Sequence, residues 1–401
     1  MKKHTVAILG FGVVGGGVAD LLTRNADCIN SEIGEVYIKY ILDLRDFPGS
    51  PFADRVVHDY SVIVSDSEVD TVIEVMGGSH PAYEYTVAAL KAGKSVITSN
   101  KEVVAGFGDE FVSIAREMGV SYRFEAAVGG GIPVISPLVS CVRQNRVKEV
   151  RGILNGTTNY ILTKMFTYGE SFDSALKDAQ AKGYAESNPA ADVLGTDAAR
   201  KITILTALAT DTLPDVSKVQ AEGITEIRER DVKIAEKIGR RIKLLGRCCV
   251  KESGASVAVA PFMLPEKSPL ATVDGVFNAV EVIADPLGSV MFYGPGAGGG
   301  ATASAVVGDL LQVVRETGSP NLPKMIRAAK DSKNLAEEEV YSYYIAVSLD
   351  KKVEALALPF VDSVIDEEGE LAILTKPMAD VEATEALSAL GDGLLSKIRL
   401  L

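Results

Sequence analysis

The stretch VAILGFGVVGGGVADLL, Val6 to Leu22, narrows the possible folds more than any other part of the chain. A run of β-formers, Thr5–Leu9, leads into Gly10, Gly12 and Gly15, which have G-x-G-x-x-G spacing, and a helical pattern follows through Val18–Leu22. A turn of this kind lets the backbone approach a pyrophosphate. The first helical turn adds unpaired N–H groups and a partial positive charge. Gly15 removes a side chain where helix and strand pack closely, while Gly16 and Gly17 only lower bulk. Phe11, Val13 and Val14 fill the variable positions of the same candidate cofactor loop. The spacing alone also fits a tight β–α turn with no ligand. A second strand, Tyr37–Leu42, ends in Asp43 and favours a dinucleotide.

Asp43 stands where an acid accepts from the hydroxyls of an adenosine ribose, and Arg45, two residues on, suits a 2′-phosphate instead. A surface ion pair is the plainer alternative. The chain then continues in βα rhythm. TVIEVMGG reads as a strand stopping at Gly77–Gly78, PAYEYTVAALKAGK as an amphipathic helix from Pro81, and SVITSNK as a strand ending at Lys101. FVSIAREMG reads as a helix and SYRFEAAVGGG as a further strand. This alternation predicts a parallel sheet with right-handed crossovers and ligands at the carboxyl ends of its strands. Met76, Gly77, Gly78, Ser99 and Lys101 fall at that edge beside the first loop. Lys101 has a solvated loop position as its alternative.

Composition restricts the partners. The 401 residues leave room for two or three domains, and 47% hydrophobic residues supply a large core. A formal net charge of −13 argues against nucleic acid and anionic membranes, which both need clustered Lys and Arg. No apolar run of about 18 residues is present for a membrane helix. The apolar run near the start is broken by the glycines, with no cleavage site after it. Cys28, Cys141, Cys248 and Cys249 have neither zinc-ligand spacing nor the density of a disulfide framework, so reduced thiols and a cytoplasmic location are expected. Histidine occurs only as His4, His58 and His80, which leaves Lys, Asp and Glu as leading acid–base groups.

After Gly131 the pattern changes. VKEVRGILNGTTNYIL reads as a strand, a polar turn over Asn155–Asn159 and an apolar helix. The turn fits a capped helix or polar groups lining a cleft. The richest stretch is KGYAESNPAADVLGTDAARKITIL. Asn188–Pro189 is a helix-start signal, and Asp197 and Lys201, four apart, share a helix face. Glu186, Asp192, Asp197 and Lys201 lie within sixteen residues, beside Ala190, Ala191, Gly195, Ala198 and Ala199. Ordinary exposed Asp–Lys pairs are the plainer reading. However, Ile202, Ile204, Leu205 and Leu208 bury the helix, and a buried acid–lysine cluster is costly unless it is used.

ILNGTTNYIL, KGYAESNPAADVLGTDAARK and GPGAGGGATASAVVGDL resemble the motifs of the homoserine dehydrogenase family over the first 330 or so residues. The resemblance implies NAD(P)H-dependent interconversion of L-aspartate 4-semialdehyde and L-homoserine, on the route to threonine and methionine. It implies an α/β fold with an N-terminal Rossmann dinucleotide-binding domain over 1–130, to which a segment at 300–330 returns. An α+β substrate-binding and dimerisation domain with an open sheet follows over 131–299, in a homodimer or homotetramer. By the same resemblance Lys201 matches the proton donor and Lys101 a second lysine near nicotinamide and substrate. Glu186, Asp192 and Asp197 match acids that bind the substrate's amino and hydroxyl ends, beside Gly156, Thr157 and Tyr184. Gly298, in the glycine-rich return loop, joins the cofactor set. Glu125, Val128, Gly130 and Ile132 match positions that hold a monovalent cation, Na+ or K+, largely through carbonyls.

A charged Lys201 suits the implied chemistry, since it stabilises an alkoxide and donates a proton. Two other readings compete: another NAD(P)-dependent amino-acid oxidoreductase, and a non-catalytic NAD(P)-sensing protein. The presence of both Lys101 and Lys201 weighs against a sensor, and no cysteine stands beside a base as a semialdehyde dehydrogenase requires. Over 338–401 the chain resembles a shortened ACT module, a small α+β regulatory region. VYSYYIAVSLD matches its first strand and GELAILTKPMADVEATEALSAL its late strand and last helix, without a D-x-P-G turn or a long first helix. A small βαβ cap on the dimer is the plainer alternative. Threonine inhibition is expected to be weak or absent.

Overall fold

The computed structural model describes residues 3–316, 318–329, 339–367 and 369–401. Residues 317 and 330 of the expected return segment, and 338 at the start of the expected C-terminal module, lie outside the described residues. The chain divides into two compact units, one of 1–145, 203–216 and 294–329, the other of 146–202, 217–293 and 330–401.

The first unit is built on six strands: β1 His4–Leu9, β2 Val36–Leu42, β3 Val56–Val57, β4 Thr71–Glu74, β5 Ser95–Thr98 and β6 Tyr122–Arg123. They pair in parallel in the order β3-β2-β1-β4-β5-β6. This is the doubly wound order, with its switch point between β1 and β4. The strands are short and apolar because both faces are covered. Val6, Ile8, Ile41, Ile73 and Ile97 are buried against Val18 and Ala19 of the helix Val13–Arg24 and Ala303, Val306 and Leu310 of the helix Gly299–Arg315. Each large side chain buried in this way contributes roughly 1.5–3 kcal/mol.

Two sequence expectations change here. SYRFEAAVGGG is a strand only at Tyr122–Arg123, and a 3-10 turn follows over Glu125–Ala127. The Glu125 carboxylate accepts from the N–H groups of Val134, Ile135 and Ser136, which folds the chain back instead of extending it. SVITSNK ends as a strand at Thr98, and Lys101 opens an 18-residue helix to Met118. Asn100 sets that start, since its side chain accepts from the N–H groups of Glu102 and Val103.

The second unit holds an 11-stranded mixed sheet. Its main path runs Gly288–Pro295, Phe277–Asp285, Arg146–Ile153, Arg240–Lys251, Gly254–Pro265, Leu394–Leu400, Val340–Ser348, Glu370–Thr375 and Val361–Glu367. The last four strands, with the helices Lys352–Leu356 and Asp380–Ser388, follow a β-α-β-β-α-β order. They join the remaining strands through parallel pairing of Phe262 with Arg399 and Met263 with Leu400. Among the described residues no helix is long and apolar enough to cross a membrane.

A buried acid ties these parts together. Asp231, fully buried in the helix Glu229–Lys237, accepts from Arg228, Tyr344 Oη and Ser396 Oγ, and Arg228 also pairs with Glu370. Asp231→Ala leaves the Tyr344 and Ser396 hydroxyls without this acceptor and Arg228 with Glu370 as its remaining acid. Urea unfolding is expected to register a loss of about 3–5 kcal/mol. A loss below about 1 kcal/mol would mean that the network does not hold the C-terminal strands.

Candidate active site

The first loop turns sharply because its glycines permit it. Gly10 has φ +94°, and its N–H donates to Leu42 O at 2.7 Å. A Cβ on Gly15 would lie 2.0 Å from Gly10 O, so only glycine lets the helix start this close to β1. A Cβ on Gly12 would meet nothing within 4 Å, so protein packing does not require glycine there. A cavity of about 520 Å³ opens at this edge, lined by Gly10, Gly12, Asp43, Arg45, Met76 and Gly77, with His58 and Tyr85 among its other walls. Its size and its place at the switch point suit a cofactor.

Asp43 and Arg45 form a clamped pair. Arg45 Nε and Nη2 each donate to the carboxylate at 3.0 Å, and Phe11 N–H donates to Asp43 Oδ2 at 2.8 Å. The Arg45 guanidinium holds the Asp43 carboxyl well below the usual carboxylate range, against the effect of burial. Of the sequence alternatives for these residues, the ion pair is present, and it also anchors the first loop through Phe11 N–H. Phe11 packs edge-on against Phe47 and Phe52, and Val14 packs on the core. Val13 is 79% exposed, and its Cγ1 would lie 2.7 Å from a Cβ on Gly299. Gly298, exposed with φ +119°, precedes that helix as its N-cap.

Lys101 is half-buried at the first position of its helix. Ser99 N–H donates to Glu74 O, and Asn100 Nδ2 donates to Gly78 O at 2.7 Å. The Met76–Gly78 and Ser99–Lys101 loops are therefore fastened to each other.

In the second unit the polar turn caps the helix Gly156–Tyr168, with Asn155 Oδ1 accepting from Thr158 N–H. A Cβ on Gly156 would come within 2.7 Å of Val276 O, so the turn needs glycine. The other end of the Asn155 amide donates to Asp192 Oδ1 at 2.7 Å and Asp197 Oδ2 at 3.0 Å. Lys201 Nζ donates to Asp197 Oδ2 and Leu154 O, each at 2.7 Å. Burial raises the Asp192 carboxyl, partly opposed by Asn155, and nearby Asp197 raises it further. Gly195, φ +81°, separates the short helix Ala190–Val193 from Thr196–Thr210, which carries Asp197 and Lys201 on one face. Asp192 and Asp197 thus converge on the Asn155 amide, with Lys201 held through Asp197. Of the two readings of the 155–159 turn, a capped helix and polar groups lining a cleft, Asn155 serves the cap through Thr158 N–H while its amide gathers these acids.

The remaining expected substrate residues are placed differently. Thr157 Oγ1 donates to Tyr184 O at 2.6 Å, while the Tyr184 ring is exposed and packs edge-on against Tyr160. Glu186 is exposed, and its carbonyl accepts from Gln180. Thr158 and Asn159 have structural roles: Asn159 Nδ2 donates to the carbonyls of the 273–277 loop.

The Glu125 loop has its own geometry. Glu125 N–H donates to Asp309 Oδ2, and burial beside Glu125 pushes the Asp309 carboxyl up to about 8. Gly129 and Gly130 both have positive φ, and a Cβ on Gly130 would lie 2.5 Å from Gly296 O. Val128, Gly130 and Ile132 are buried, and no hydrogen bond from the described residues reaches their carbonyls. Among the described residues no group of three or more His, Cys, Asp or Glu could hold a metal ion. None of the four cysteines is in a disulfide, and burial pushes the Cys249 thiol up to about 12, which does not suit a nucleophile.

Comparison with known proteins extends this geometry. Residues 10–125 match the family model for the homoserine dehydrogenase NAD binding domain, and residues 133–311 match the model for homoserine dehydrogenase. The homoserine dehydrogenase of Neisseria gonorrhoeae is 42% identical over 322 residues, covering 79% of this chain and 73% of that protein. The crystal structure of a homoserine dehydrogenase from Thiobacillus denitrificans superposes with a TM-score of 0.90 at 34% identity, covering 100% of this chain and 98% of that one. A hyperthermophilic archaeal homoserine dehydrogenase in complex with NADPH gives a TM-score of 0.68 at 28% identity, covering 79% of this chain and 98% of that one. With both family models matched and relatives aligned over most of its length, the chain belongs to the homoserine dehydrogenase family of NAD(P)-dependent oxidoreductases.

Proposed function

We propose that the protein interconverts L-aspartate 4-semialdehyde and L-homoserine, with Lys201 moving the proton. The observation that carries this reading is the Lys201 ammonium: it has three N–H donors, of which Asp197 and Leu154 O take two. The third suits the substrate oxygen. Lys201 gives that oxygen a proton as the aldehyde is reduced and takes it back in the reverse direction. Asp197 fixes the ammonium, and Asn155 fixes Asp197. Asp192 and the exposed Glu186 carboxylate suit the substrate ammonium, with Gly156, Thr157 and Tyr184 shaping the turn beside them. Bound NAD(P)H supplies the hydride at the carbonyl carbon. The glycine turn from Gly10 to Gly15, the Asp43–Arg45 pair, the Met76–Gly78 loop, Ser99, Lys101 and Gly298 are the groups assigned to hold it. The 520 Å³ cavity and the unfilled space over Gly12 fit such a ligand.

The Glu125 loop fits a monovalent cation, because the carbonyls of the buried residues Val128, Gly130 and Ile132 are oxygen donors that take no hydrogen bond from the described residues. Glu125 would contribute its carbonyl, since three N–H groups already occupy its carboxylate. We read the protein as a cytoplasmic homodimer or homotetramer with its cofactor domain over 1–130 and 300–330, its substrate domain over 131–299 and an ACT-like region over 338–401. The β-α-β-β-α-β order of the C-terminal strands supports that last assignment.

Four measurements test this reading. The parent is expected to form NAD(P)H with L-homoserine and not with other hydroxy or amino acids. Lys201→Met, which keeps length and removes the proton, should lower turnover about 100-fold or more and leave NAD(P)H affinity unchanged; turnover near the parent rate removes Lys201 from the proton step. Asp43→Ala removes the acid that repels a 2′-phosphate and frees Arg45, so the ratio of kcat/KM values should move toward NADP(H). An unmoved ratio assigns the pair to loop anchoring alone. For regulation, the turn after the strand Val340–Ser348 is packed: a Cβ on Gly393 would lie 2.4 Å from Lys351 Cγ and 3.0 Å from Ser348 Oγ. A ligand carboxylate has no cradle there, so initial rates should stay flat as L-threonine rises. Saturable inhibition would show that the module senses it.

A further inference from the structure

We infer that Glu74 is a positioning residue for the cofactor edge, a buried carboxylate that sets both the Met76–Gly78 loop and the first turn of the Lys101 helix. The inference rests on the reading that assigns those loops and Lys101 to the cofactor.

Every residue of β4, Thr71 to Glu74, is fully buried, and Val72 and Ile73 show what such a strand ordinarily carries. A carboxylate in that place has a large desolvation cost. Among the described residues it has no ion-pair partner, and burial raises its carboxyl while its hydrogen-bond donors pull it back. Its contacts explain why it is there. Glu74 Oε1 accepts from Met76 N–H at 2.8 Å, and Oε2 accepts from Thr98 Oγ1 at 2.6 Å. Thr98 has one hydroxyl proton. Because that proton points at Glu74, its oxygen is free to accept from Asn100 N–H, at 2.9 Å. Asn100 then does two things: its side-chain oxygen caps the Lys101 helix, and its amide nitrogen donates to Gly78 O.

These contacts close a ring. It runs from Glu74 to Thr98, to Asn100, to Gly78, and back along the chain through Met76. The ring crosses the β4 and β5 ends, where the register pairs Glu74 with Thr98. An apolar residue at 74 would leave the Met76 N–H without this acceptor and the Thr98 hydroxyl free to turn. The helix macrodipole does not favour Lys101 in this place, since a cation at a helix N-terminus opposes it. The cap that fixes this start depends on Asn100, and Asn100 depends on Glu74 through Thr98.

The test uses the purified full chain, NADPH or NADH titrated by fluorescence, turnover with L-homoserine, and thermal unfolding. Lys101→Ala is run alongside as the reference for the edge itself. Glu74→Leu is expected to weaken cofactor binding and lower kcat/KM for the cofactor by about 10-fold or more, with KM for L-homoserine within about 3-fold. Glu74→Gln should recover most of the loss, because its amide oxygen can accept from Met76 N–H while its NH2 donates to Thr98 Oγ1. Thr98→Val breaks the ring one link further on and should reproduce the cofactor defect, which keeps the test decisive if Glu74→Leu does not fold. Folded Glu74→Leu or Thr98→Val enzymes with parent-like cofactor constants, beside an impaired Lys101→Ala, overturn the positioning role alone. A silent Lys101→Ala overturns the reading of the edge and the inference with it.

Discussion

The first unit depends on an approach that only a missing side chain allows. With a Cβ on Gly15 only 2.0 Å from Gly10 O, any other residue would push the helix Val13–Arg24 off β1. That helix meets Gly299–Arg315 through Gly17, where a Cβ would lie 3.1 Å from Gly299 O and 3.3 Å from Ala303 Cβ. Both helices supply the buried face over β1, β2 and β4. The same glycine turn therefore serves two purposes. It shapes an edge that a pyrophosphate can approach, and it starts the helix whose Gly17 meets the helix Gly299–Arg315.

Buried acids repeat a single device across the molecule. Asp231, Asp197 and Glu74 are each buried, and each accepts from groups on separate segments. An acid without such donors would be strongly destabilising; with them it sets the relative placement of chain segments. The partners decide the outcome. Asp231 joins an arginine, a tyrosine and a serine and makes a structural tie. Asp197 joins Lys201, which also donates to Leu154 O, and it is this lysine to which the proposal gives the proton step.

The sequence alone determined the strand–turn–helix at Gly10–Gly15, the βα alternation that makes the first sheet parallel, and the Asp197–Lys201 face, because these signals lie within a few residues of each other along the chain. The resemblance carried by the middle motifs pointed to the family through whole phrases of sequence. The tertiary structure alone decided that Asp43 and Arg45 are one clamped pair, that Glu125 folds the chain back instead of extending a strand, and that Asn155 gathers Asp192, Asp197 and Lys201 around one amide. It also decided that the glutamate ending an otherwise ordinary buried strand reaches Thr98 twenty-four residues away. A hydrogen bond between residues far apart in the chain leaves no periodicity or spacing in the sequence, because its geometry exists only once the sheet has set the strands side by side.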